Sequence, residues 1–137
     1  MENLLLFLAQ NIFAFFVLIF LVFFLIFYEG KKGGKRVDNT EATRLINKEN
    51  CLVLDLRPAH EFNIGHLSNA VNLLIEDVGD QINTLQKDKE KPLLLVCQTG
   101  SVSKKAGISL KKSGYENLYI LSGGMMGWQN AGLPTIK

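Results

Sequence analysis

Residues 3–28 carry no charged side chain, and nearly every position is Leu, Phe, Ile, Val or Ala. As a helix rising 1.5 Å per residue, residues 4–28 would reach roughly 37 Å, more than the ~30 Å hydrocarbon core of a bilayer. A helix also satisfies its own backbone polar groups, as lipid demands. Residues 1–30 are therefore expected to form one transmembrane helix that meets the lipid bilayer through residues 4–28. Gln10 and Asn11 are polar interruptions, tolerable near one end or against a partner helix. A cleaved signal peptide would want a basic start, a shorter apolar stretch and a small-residue cleavage site. This chain begins Met1-Glu2-Asn3 and leaves the run through Phe27-Tyr28-Glu29-Gly30, which argues for a retained anchor.

Charge sets the direction. Lys31, Lys32, Lys35 and Arg36 follow the run, and no Lys or Arg precedes it. The positive-inside rule then puts the N-terminus outside and the C-terminal part in the cytoplasm, with the inner (plasma) membrane as the expected location. Gly30, Gly33 and Gly34 read as making the junction flexible, and its basic residues also suit anionic lipid head groups. Of the fifteen basic and thirteen acidic residues, eleven of each lie in 37–137, which is formally neutral. Such a balance gives no electrostatic reason to expect nucleic acid as a partner. The organisation read from the sequence is an anchor (1–30), a basic juxtamembrane linker (31–36) and one domain (37–137) large enough for a single core.

Within that domain, apolar strands alternate with amphipathic helices. Asp38, Asn39 and Thr40 offer caps to E-A-T-R-L-I-N-K, whose Ala42, Leu45 and Ile46 share a face. C-L-V-L-D-L reads as a buried strand, and Pro58 opens a short helix after it. A-V-N-L is a second brief strand, residues 75–85 a helix, and L-L-L-V-C the most apolar strand. Residues 101–113 read as a helix with Gly114 just past its end. N-L-Y-I-L is a further strand, and Gly123-Gly124 turns into a terminal helix around Trp128. Alternation of this kind predicts an α/β fold, a parallel sheet with helices on both faces. The two cysteines, Cys51 and Cys97, are too few for a disulfide scaffold and are expected as free thiols. No histidine sits in metal-ligand spacing, and the residues imply neither a metal nor an organic cofactor.

Ligands of such sheets bind at the carboxyl ends of the strands. Asp55 and Cys97 each close a strand there, and this coincidence marks the candidate site. After Cys97 the chain passes Gln98, Thr99, Gly100 and Ser101 and enters a helix. A loop of that kind can wrap its amides around the sulfur, and the helix start adds its positive dipole end. Both favour an anionic sulfur, and thiolate chemistry becomes available at neutral pH. The bland alternative is a buried structural cysteine at a strand end.

The stretch V-L-D-L-R-P-A-H-E-F-N-I-G-H-L-S-N-A-V-N-L resembles the first signature of rhodanese-like domains, and L-S-G-G-M-M-G-W-Q-N-A-G-L-P resembles the second. Between them C-Q-T-G-S-V-S stands where that family has its C-x-x-G-x-R-S active loop. The resemblance covers 37–134 in order and with suitable spacing. It implies a sulfurtransferase in which Cys97 attacks a sulfane sulfur donor, holds the sulfur as a persulfide and passes it to a thiol acceptor or cyanide. It also implies that backbone amides of Gln98, Thr99, Gly100, Ser101, Val102 and Ser103 cradle the sulfur anion. Asp55 and Arg57 match the family's D-x-R pair and are expected to brace the loop and the pocket. Glu61 and His66 are expected to tie down a turn, and Trp128 to belong to the core; Met125 and Met126 fit either role.

The chain departs from the pattern at Val102, where the family has an arginine that would supply a fixed charge and paired donors to an anion such as thiosulfate. Lys104 and Lys105 restore charge only as mobile points, so use of thiosulfate is not expected. The C-x5-R loop of dual-specificity phosphatases would need arginine at Ser103, which disfavours phosphate-ester hydrolysis. Two readings follow: an enzyme acting at the inner face of the membrane, or an inactive rhodanese-like binding module tethered there to contact other membrane proteins.

Overall fold

The computed structural model describes residues 1–30 and 33–137, so Lys31 and Lys32 of the basic cluster lie outside the described residues. The chain divides into two units, 1–31 and 32–137.

In the first unit the apolar run is two helices rather than the single one expected. Helix α1 (Glu2–Gln10) and helix α2 (Ile12–Gly30) meet at Asn11 with a bend of 69°. The Asn11 amide and its side-chain Nδ2 both donate to the Phe7 carbonyl, at 3.1 and 2.8 Å. A short polar side chain that competes for helix backbone in this way favours a helix end over its continuation. Asn11 accordingly leaves the helical region, at φ −112° and ψ 17°. No single described helix is long and apolar enough to cross a membrane, whereas the bent pair together has that length and composition. No residue of α1 is buried.

The second unit is a five-stranded, fully parallel sheet in the order β1-β5-β4-β2-β3. Its strands are β1 (Lys35–Val37), β2 (Leu52–Asp55), β3 (Ala70–Asn72), β4 (Leu93–Val96) and β5 (Leu118–Leu121). Its helices are α3 (Asn39–Lys48), α4 (Ala59–Ile64), α5 (Ile75–Leu85), α6 (Ser101–Lys112) and α7 (Gly124–Asn130). All four residues of β4 are buried, because successive side chains serve two different cores. Leu93, Leu95 and Cys97 pack with Val78 and Ile82 of α5 and with Ala106 and Leu110 of α6. Leu94 and Val96 pack with Ala42 and Leu45 of α3 and with Met125 and Trp128 of α7.

The chain crosses from β1 to β2 in one direction with α3 on one face. It returns from β3 through β4 to β5 in the other direction, with α5 and α6 on the opposite face, as right-handed crossovers require. This reversal leaves β2 and β4 side by side, with their outgoing connections diverging. Open α/β sheets bind ligands in that crevice. Asp55 is level with Val96 in the register, so Asp55 and Cys97 come to the same rim.

Strand β1 was not expected, and it takes Lys35 and Arg36, at the end of the expected linker, into the sheet. From Gly33 onward the chain belongs to the folded unit, with Gly33 and Gly34 both buried. A Cβ on Gly107 of α6 would stand 1.8 Å from the Gly33 carbonyl oxygen, and one on Gly33 would stand 2.7 Å from that of Lys104. These glycines serve close packing between backbones, not flexibility.

Candidate active site

Cys97 follows β4 and is buried, with 3% of the residue exposed. The chain turns at Gly100, whose φ of +104° falls in the left-handed region that glycine enters without strain. That turn aims the Gly100 amide at Cys97 Sγ, 2.9 Å away, and α6 starts at the next residue. The first-turn amides of a helix have no intrahelical acceptor, so those of Ser101, Val102 and Ser103 gather at the same helix start. The expected cradle of amides from Gln98 to Ser103 is thus realised at the sulfur by Gly100 alone among the described residues. The body of the sulfur sits in the apolar cluster of Leu54, Leu56 and Leu73, and Val102 packs against that cluster. Gln98 and Thr99 are exposed. The hydroxyl oxygens of Thr99 and Ser101 lie 3.4 Å apart, and the buried Ser103 hydroxyl has no hydrogen-bond partner among the described residues.

Helix α7 holds the loop from the other side. The amides of Met125 and Met126 donate to the carbonyls of Cys97 and Gln98, at 2.8 and 3.1 Å. Contact this close requires a residue without a side chain: a Cβ on Gly124, at φ +59°, would stand 2.4 Å from the Cys97 oxygen. Sequence reasoning saw the double glycine only as a turn. Met125 is fully buried and Met126 is 44% exposed, so only the amide, not the side chain, of Met126 is drawn into the fold. Trp128 is buried in the core of the α3 and α7 face, with Nε1 donating to the Pro134 carbonyl at 3.1 Å. It also walls a cavity of about 210 Å³ with Thr43, Ile46 and Leu67, on the sheet face away from Cys97.

Asp55 and Arg57 form a buried ion pair. Arg57 Nη2 donates to Asp55 Oδ2 at 2.7 Å and its Nε to Oδ1 at 3.0 Å, while the Arg57 amide also reaches Oδ1 at 3.0 Å. The same Nη2 donates to the Gly65 carbonyl at 2.8 Å. Asn72 Nδ2 donates to the carbonyls of both residues, at 3.0 and 2.8 Å. These contacts tie the turn after β2 to α4 and β3; none of them reaches the Cys97 loop. His66 Nδ1 lies 2.9 Å from the Phe62 carbonyl, and its ring stacks on Phe62 with centroids 3.8 Å apart, so it ties down a turn as expected. Glu61 does not: its side chain is 37% exposed and, among the described residues, its carboxylate has only His60, at 4.0 Å.

Among the described residues, no group of three or more His, Cys, Asp or Glu side chains is placed to hold a metal ion. Both cysteines are free thiols. They lie toward opposite ends of the strands and on opposite faces of the sheet.

A cysteine held by an amide at the start of a helix, at the reversal point of a parallel sheet, defines a class of small α/β domain, and known proteins share its pattern. Residues 38–131 match the Rhodanese-like domain family, and the chain belongs to that family. It is 35% identical over 104 residues to the uncharacterised protein YibN of Escherichia coli K12, covering 75% of this chain and 73% of that one. It is 34% identical over 90 residues to the thiosulfate sulfurtransferase GlpE of Actinobacillus succinogenes, covering 66% of this chain and 79% of that one. The solution structure of the rhodanese-like domain of an Anabaena protein superposes with a TM-score of 0.64 at 25% identity, over 74% of this chain and 77% of that one.

Proposed function

We propose that this protein is a membrane-tethered sulfurtransferase that carries sulfane sulfur as a persulfide on Cys97. The observation that carries the reading is the Gly100 amide on Cys97 Sγ at the head of α6. A donor aimed at the sulfur, with a helix dipole behind it, stabilises negative charge there. The Cys97 thiolate attacks the sulfane sulfur of a donor, whose leaving group departs with the bonding electron pair. The terminal sulfur is then taken by an acceptor thiolate, which restores the Cys97 thiolate. The first-turn amides of Ser101 to Ser103 are donors available to the outer sulfur. Relatives named as thiosulfate sulfurtransferases support the reaction class.

The tether is the bent α1–α2 pair. Its Leu, Ile and Phe side chains are exposed along both helices, an apolar surface far larger than a soluble monomer presents. We place it in lipid through residues 4–28, at the inner membrane, with the N-terminus outside and the sheet domain in the cytoplasm.

A second reading, an inactive module that docks other membrane proteins, draws on two observations: Cys97 is 3% exposed, and Val102 packs where the family has an arginine. One experiment separates the two. The full chain in detergent is incubated with thiosulfate or a low-molecular-weight persulfide, and intact mass is read for a gain of one sulfur atom. The enzyme reading expects that gain in wild type and its loss in Cys97→Ser. If no donor loads Cys97, the docking module replaces it.

A further inference from the structure

We propose that Arg36, on the edge strand β1, is the cation that draws anionic sulfur donors to Cys97, in place of the arginine that the loop lacks. The assignment rests on Cys97 being the sulfur-accepting nucleophile. Register carries the first part of the argument. Val37 is level with Leu121 and belongs to the α3 and α7 core. Its neighbour Arg36 is level with Ile120, and Ile120 with Leu95. Side chains alternate along a strand, so Arg36 emerges on the face of Leu95 and Cys97, beside the start of α6.

Proximity carries the second part. A Cβ on Gly100 would stand 3.4 Å from Arg36 Nη1, and Gly100 is the residue whose amide holds the sulfur. The strand is locked in this place by Gly33 against Lys104 and Gly107, and by Gly34, at φ +116°, against Leu118. Availability is the third part. Arg44 is bonded to Glu41 and Glu49, and Arg57 to Asp55. Arg36 is exposed, and no hydrogen bond or ion pair holds its guanidinium among the described residues. A planar guanidinium with its donors free suits an oxyanion, and the loop itself contributes only Val102 at that task.

The step needs a cation. The Cys97 thiolate forms a bond to the outer sulfur of thiosulfate, the sulfur–sulfur bond of thiosulfate breaks, and sulfite leaves with that electron pair. Three negative charges are present before and after, all gathered at one loop. A positive charge beside that loop favours the encounter and the departing sulfite.

The test uses the full chain in detergent, wild type and Arg36→Ala, Arg36→Gln and Arg36→Lys. Cys97 is alkylated with iodoacetate, an anion, or with iodoacetamide, its neutral counterpart, and the rates are read at the Cys97 peptide by mass. The ratio of the two rates is expected to fall about five- to tenfold in the Ala and Gln variants, with the iodoacetamide rate and the melting temperature unchanged. Lys is expected to keep part of the ratio, and added salt to bring wild type toward the variants. Thiosulfate loading should slow by a similar factor. An unchanged ratio in Arg36→Ala, or equal slowing by both reagents, overturns the assignment. If the ratio depends on Arg36 while no donor loads sulfur in wild type, the sulfurtransferase reading fails and the anion-selecting role stands.

Discussion

Cys51, just before β2, shows what the fold does to a thiol that it simply buries. Its removal from water pushes the thiol from an ordinary 9.0 up to about 12, with a backbone hydrogen bond at Leu94 acting in the opposite sense and the Glu49 carboxylate adding to the rise. The folded chain therefore keeps this proton at pH values where the unfolded chain loses it. Below 9 both states are protonated and Cys51 adds no pH dependence. Between 9 and about 12 the unfolded state binds fewer protons, so stability falls as pH rises. Wild type is expected to lose unfolding free energy relative to Cys51→Ala across that window, and a constant difference in denaturant titrations would contradict this. Asp55 presents the charged version of the same constraint. In Asp55→Ala the guanidinium of the buried Arg57, a side chain 3% exposed, keeps the Gly65 carbonyl but loses its counter-charge. Breaking a buried pair from one side costs about 3–5 kcal/mol, readable by urea unfolding; a cost within the range of a surface ion pair, under about 1 kcal/mol, would show that the pair is not truly buried.

At the scale of elements, the site is an arrangement of helix ends and glycines. Helix α6 brings its start to the sulfur, and α7 clasps the loop through the amides of Met125 and Met126. Gly124→Ala therefore tests whether that clasp matters. The substitution demands a left-handed backbone and places a Cβ against the Cys97 carbonyl, for about 1–3 kcal/mol of strain. Sulfur loading of Cys97, measured where the variant is still folded, is expected to fall at least tenfold, because the displaced carbonyl moves the nucleophile. Loading at the wild-type rate would make α7 a support for stability alone. The same logic explains β1. Two of its three residues are charged and exposed, and only Val37 turns inward. Close backbone contact at Gly33 and Gly34, more than any apolar pattern, sets it on the sheet edge.

At the scale of the molecule, the segment after the apolar helices has two tasks. Its basic residues set the proposed orientation, and Arg36 among them lies against the loop that holds Cys97. Orientation is testable without any knowledge of the chemistry. A phosphatase that folds only outside the cytoplasm, fused to the N-terminus, is expected to be active, and a fluorescent reporter that matures only in the cytoplasm is expected to light up at the C-terminus. The opposite pattern would put the sheet domain outside and remove the reducing surroundings assumed for Cys97.

Local patterns were legible in the sequence because their causes are local. Helix α5 runs over Ile75–Leu85 as its Val78 and Ile82 spacing predicts, and Asp38 caps α3 through the Glu41 amide at 2.8 Å. The apolar run of β4, the parallel sheet, and Cys97 at a strand end before a helix were all readable on the same ground, since periodicity and turn residues act within a few positions. Tertiary structure decided what depends on residues far apart in the chain. It converted an apparent linker into strand β1, whereas the 69° break at Asn11 is itself local, a side chain bonded back to the Phe7 carbonyl within a long apolar pattern. It left one amide, not six, on the sulfur among the described residues. It also brought Arg36 to Gly100, across more than sixty positions of sequence, because a parallel sheet reorders its strands and no local signal records which edge will meet which loop.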